Sequence, residues 1–178
     1  MYYVGKYLLL FVVVVLLQVL LFSHLNLSLY VNPLVYVVFL LLLPMETHAV
    51  LLLILALLTG AVLDLLMGTA GLNTIASLAT AFFRPFILRL IVGKETLHDG
   101  GIPGSAQIGV AKYTRYSLII ILLHCVIFCS FESFPGPYYY LTLLRILLST
   151  LVTAFFVYWI QLIFAGKRKS VRKTHRSF

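Results

Sequence analysis

The chain has 178 residues, 62% of them hydrophobic and only 10% charged, whereas a soluble globular domain carries roughly 25% charged residues. An ordinary soluble domain is thereby excluded, and lipid becomes the solvent for most of the surface, because runs of about 20 apolar residues match a hydrocarbon core about 30 Å thick. The net charge of +8 does not point to nucleic acid, since six of the thirteen basic residues fall in the last twelve positions, KRKSVRKTHRSF, a cluster suited to anionic lipid.

Apolar runs divided by turn signals predict an all-α polytopic protein with six spans, forming a bundle over residues 1–166 followed by a basic cytoplasmic tail, 167–178. The first span, residues 7–22, carries one amide, Gln18, in an otherwise apolar run, with Tyr2, Tyr3 and Tyr7 as interfacial anchors. The second, 31–43, opens with VNP and stops at Pro44. It is short for a crossing, so a re-entrant or tilted segment is the alternative.

The third span, Ala49–Met67, holds Ala56 and Gly60 at small-xxx-small spacing, matched by Ala76 and Thr80 on the fourth, Leu72–Val92. Such surfaces let two backbones approach closely, which predicts a tight pair joined by GTAG. Near the end of the third span stands Asp64. An ionised Asp at the centre of an inserted helix costs about 2.5 to 3.5 kcal/mol, so a partner is expected. In the fourth span Pro85 frees the carbonyl of Ala81, which Arg84 is expected either to reach or to leave by snorkelling to the inner interface.

The glycine-rich stretch 93–115 lacks the phosphate-cradling G-x-x-x-x-G-K-[ST] pattern, and its His98–Asp99 pair is too small a ligand set for a metal. It reads as a flexible cytoplasmic loop able to serve as a contact surface. The fifth span, 116–131, places His124 at mid-depth, where hydrogen bonding to a neighbouring helix is expected, and Cys125 and Cys129 on one helix face as packing residues. In the sixth, 138–165, Arg145 lies about 10 Å below the outer end, a depth similar to that of Asp64. The expected arrangement is an Asp64–Arg145 pair with Asn73 or Thr74 as further donors; the alternative is that Asp64 meets water at the outer interface.

Lys6, Lys94, Lys112, Arg115 and the tail fall on one side of this six-span scheme, and the opposite loops hold no Lys or Arg. The positive-inside rule then predicts both termini in the cytoplasm, with five spans as the alternative. No Ser/His/Asp or Cys/His arrangement suggests nucleophilic catalysis, and neither a cofactor nor a metal is expected.

The order Gln18, VNP, Pro44, LTGAVLDLL and GLN resembles the bacterial rod shape-determining protein MreD family over nearly the whole chain. Gly60, Asp64, Gly71, Asn73, Asn32 and Pro33 fall on the family-like segments. The resemblance implies a non-enzymatic scaffold of the bacterial inner membrane that binds an MreC-like protein and helps couple cytoskeletal MreB to peptidoglycan synthases. It also implies a fold similar to the substrate-binding subunits of energy-coupling-factor transporters. A membrane-embedded substrate-binding subunit of a vitamin-type transporter is therefore the competing function. Asp64, Arg145, Asn73, Gly60 and Arg84 are the candidate structural or interaction residues.

Overall fold

The computed structural model describes residues 2–22, 32–93, 96–97, 100–133 and 139–166, and every regular element among them is helical. Helix α1, Tyr2–Leu17, passes into a π-helical turn, Gln18–Phe22. After it come α2, Val37–Leu42, α3, Ala49–Met67, and α4, Leu72–Val92. A single turn, α5, Ser105–Ile108, precedes α6, Val110–Glu132, and α7, Tyr139–Gly166.

Among the described residues, helices α3, α4, α6 and α7 are the four that are long and apolar enough to cross a membrane. They pack in sequence, α3 on α4, α4 on α6 and α6 on α7. Their outer faces are apolar: Leu58 and Leu65, Phe82 and Phe86, Leu122, and Leu151 and Phe155 are all exposed. A soluble protein rarely leaves so much contiguous apolar surface uncovered, whereas a bilayer accepts it.

Of the predicted span 31–43, the described residues 32–43 do not form a full crossing helix. Only the six residues of α2 are helical, about 9 Å of rise against a core of about 30 Å. Proline explains the C-terminal limit: Pro44 forces the residue before it out of the helical region, so Leu43 is extended at φ −61°, ψ 145°. All six side chains of α2 are buried, so this run is apolar because protein surrounds it and not because lipid does. Helix α1 lies antiparallel to α2: the Phe11 and Phe39 rings meet edge to face at 5.5 Å, while Gln18 reaches back to Pro33 and Val35.

The part of the loop between α4 and α6 from Gly100 to Ile108 packs against the bundle. Gly100, Pro103 and Ile108 are buried, and the carbonyl of Gly101 accepts the Met45 amide at 2.8 Å. Helix α6 also starts earlier than its apolar run, at Val110. Its first turns are amphipathic, with Tyr113 and Tyr116 buried and Lys112 donating to the last carbonyl of α4, that of Val92, at 3.3 Å.

Candidate functional site

Two polar anchors hold this apolar bundle, and the first is built on Asp64. The first amides of an α-helix have no partner within the helix, and a side-chain oxygen normally caps them. In α4 the N-cap residue is Gly71, which has no side chain to do so. The carboxylate of Asp64, on the preceding helix, takes over: Oδ1 accepts the Asn73 amide at 3.0 Å and Oδ2 the Thr74 amide at 2.9 Å. Side chains complete the shell, with Thr69 and Thr74 hydroxyls donating at 2.5 Å and Asn73 Nδ2 at 3.0 Å. The backbone carbonyl of the same residue accepts the amides of Gly68 and Thr69. One residue therefore closes α3 and opens α4. Negative charge at the positive end of α4 adds to the effect.

Gly60, one turn before Asp64, makes this proximity possible. A Cβ there would lie 2.7 Å from the Thr74 amide nitrogen and 2.8 Å from the Asn73 carbonyl oxygen, so only glycine admits the α4 backbone. Ala56, Ala76 and Thr80 are likewise fully buried, as the small-residue spacing predicts for a tight α3–α4 pair.

The second anchor is the seat of α2. A helix this short satisfies few of its own backbone groups, and bare polar backbone at membrane depth is tolerated only inside protein. Side chains from three helices fill the gap. Gln18 of the π-turn donates to the Pro33 carbonyl at 3.0 Å and accepts from the amides of Val35 and Tyr36 at 2.9 and 3.3 Å. From α7, Ser149 accepts the Asn32 amide at 3.0 Å and Thr153 the Leu34 amide at 3.1 Å. At the other end the guanidinium of Arg84 on α4 donates to the carbonyl of Leu43 and, through Nε, to the Tyr116 hydroxyl at 2.9 Å.

Replacing Gln18 with Leu keeps the volume but leaves two amides and a carbonyl unpaired. At about 1 to 3 kcal/mol per buried unsatisfied group, Gln18→Leu should lower unfolding stability in detergent by at least about 2 kcal/mol. Circular dichroism against a denaturant gradient would read the change. A variant as stable as the parent would show that α2 does not depend on Gln18.

A chain of hydrogen bonds fixes the rotation of α2. Tyr36 Oη lies 2.7 Å from His124 Nε2, and His124 Nδ1 lies 2.9 Å from Thr80 Oγ1. The Thr80 hydroxyl donates its one proton to the Ala76 carbonyl at 2.7 Å, so it accepts from His124 Nδ1–H, and Nε2 accepts from Tyr36. The ring joins α2, α4 and α6 with every hydrogen accounted for. It offers no free base to a nucleophile.

Two expectations about charged groups need correction. Arg145 does not meet Asp64; its Nη2 lies 2.9 Å from Glu132 Oε2, the only ion pair among the described residues. Helix α7 lies against α6, whose last residue is Glu132, and Arg145 finds its acidic partner there. At 24% and 29% exposure this is an interfacial pair of the kind worth about 0 to 1 kcal/mol. Arg84 neither reaches the Ala81 carbonyl nor snorkels; at 1% exposure it stays inside and turns toward α2. Asn73 and Thr74 do donate to Asp64. Thr69, Tyr116, Ser149 and Thr153 were not singled out from sequence. Polar residues inside apolar runs were the available signal for all but Thr69, which lies in a turn.

Among the described residues no group of three or more His, Cys, Asp or Glu is arranged to hold a metal ion. The fold and its anchors define a helical membrane protein with a protein-filled interior. No protein-family model matches the chain, and neither curated proteins nor solved structures give a match.

Proposed function

We propose that the protein is a non-enzymatic inner-membrane scaffold of the bacterial cell-elongation machinery, as its resemblance to the MreD family implies. The observation that carries this reading is where its polar residues go. Gln18, Gly60, Asp64 and Asn73, with the backbone of Asn32 and Pro33, are the segments of the resemblance. All of them lock one helix to another. Investing buried polar groups in a fixed arrangement suits a protein whose task is to present a defined membrane surface to an MreC-like partner. Contacts to MreB and to peptidoglycan synthases, direct or through that partner, belong to the same reading, as does anionic lipid at the tail, which lies outside the described residues. Affinity purification of the full chain in mild detergent tests it. Recovery of MreC-like and synthase proteins supports the scaffold, and their absence from a stable, correctly inserted preparation refutes it.

A transporter subunit is the second reading. It is favoured by the convergence of Arg84, Tyr116, His124 and Thr80 around one buried element, α2. Co-purification of a pair of ATPase subunits would select it.

The proposed topology has both termini in the cytoplasm, with α1 running outward and residues 32–43 returning inward through the short helix α2, entered by a turn and left through the extended Leu43. The antiparallel pairing of α1 with α2 and the bond from Met45 to the loop containing Gly101 support it. Reporter domains active only in the cytoplasm should work at both ends. An inactive N-terminal fusion beside an active C-terminal one would refute this arrangement.

A further inference from the structure

The segment 32–45 is held in an unequal way. Side chains of the π-helical turn, α4 and α7 grip it inside the bundle, but its other end is fastened to the loop between α4 and α6. The Met45 amide donates to the Gly101 carbonyl at 2.8 Å. That carbonyl sits in a turn with positive φ at Gly100 and Gly101, 63° and 94°, braced by Gln107, whose Nε2 donates to the Gly100 carbonyl. Between the loop fastening and α2 stand only Pro44 and the extended Leu43, and Leu43 supplies the carbonyl that Arg84 holds.

We propose that segment 32–45 is a loop-coupled latch: displacement of the Gly100–Ile108 turn draws the Leu43 carbonyl off Arg84 and releases α2 from its seat. Three physical arguments carry it. The helix is too short to persist without its seat, so it is held by its surroundings more than by its own bonds. Only Pro44 stands between the Met45 amide that the loop holds and the Leu43 carbonyl that Arg84 holds, and its ring fixes φ, so displacement is transmitted with little slack. Arg84 holds the latch closed. Among the described residues its guanidinium has no carboxylate partner, so release of Leu43 leaves a buried charge with the Tyr116 hydroxyl, which favours the seated state until the loop moves. The latch gives the inner face a route to the interior of the bundle, and it stands whether the protein is a scaffold or a transporter subunit.

Hydrogen–deuterium exchange on the full chain in lipid nanodiscs tests this. Backbone amides of residues 37–43 are sealed inside the bundle and exchange only when the latch opens. Gly101→Ala strains the turn, because φ there is +94° and the added Cβ would lie 2.7 Å from Gln107 Nε2. Gln107→Ala is gentler and removes only the brace. Both should speed exchange at residues 37–43, Gly101→Ala by about tenfold or more, while residues 76–88 of α4 keep the parent rate. Unchanged exchange at 37–43 in Gln107→Ala, or acceleration there only in step with α4, overturns the proposal.

Discussion

Asp64→Ala should lower the stability of the detergent-solubilised protein by about 2 to 3 kcal/mol, the range for leaving buried hydrogen-bond donors without their acceptor. Five donors converge on that carboxylate, two of them first-turn amides of α4. Alanine removes their acceptor, and the cost falls mainly on the buried Asn73 amide and side chain, because a missing partner costs more than an ordinary hydrogen bond contributes. Asp64→Asn should be milder, because one carbonyl oxygen remains to accept. Arg145→Ala should have a small effect that adds to that of Asp64→Ala, since Arg145 is paired with Glu132 at the end of α6. Thermal or denaturant unfolding of the two single variants and the double variant measures this. Coupling well above about 0.5 kcal/mol would mean that the two charges communicate after all.

Gly60→Val should be the second severe change. Its Cβ alone would meet α4 backbone, Thr74 N at 2.7 Å and Asn73 O at 2.8 Å, and backbone cannot rotate aside as a flexible side chain does. The helices must separate, at a cost of about 3 kcal/mol for overpacking that the surroundings cannot absorb. The amides displaced are those Asp64 holds, so the two sites share a mechanism. Gly60→Val combined with Asp64→Ala should therefore cost clearly less than the sum of the two. Strict additivity in unfolding measurements would count against a common α3–α4 hinge point.

The bounds of α3 and α4 could be read directly from sequence because both apolar runs end at glycine turns, and their small residues at four-residue spacing announced the contact between them. The carboxylate of Asp64 announced a need for partners, and Asn73 and Thr74 were close enough in sequence to be named. What could not be read was adjacency. Counting residues gives the depth of Arg145 but not which helix α7 lies beside, so a partner on α6 was missed. The same limit hid the surroundings of α2. An apolar run reports exclusion from water without saying whether lipid or protein excludes it, and here only the prolines at its ends and its shortness separated the two. Gln18 stood out as a polar residue in a membrane run, yet its partners are backbone groups, which every sequence contains and none displays.

The hydroxyls that hold the start of the α2 segment come from the far end of the chain: Ser149 and Thr153 lie 117 and 119 positions after the amides of Asn32 and Leu34. At about 5 to 20 residues per second of synthesis, those amides wait on the order of ten seconds before the helix that receives them has been made. Through that interval α3 and α4 can already close around Asp64, whose partners lie within ten positions. The protein is thus assembled from its middle outward, with its most buried element the last to be secured. A chain interrupted before α7 carries a finished α3–α4 hairpin beside backbone amides that only water or the insertion machinery can satisfy.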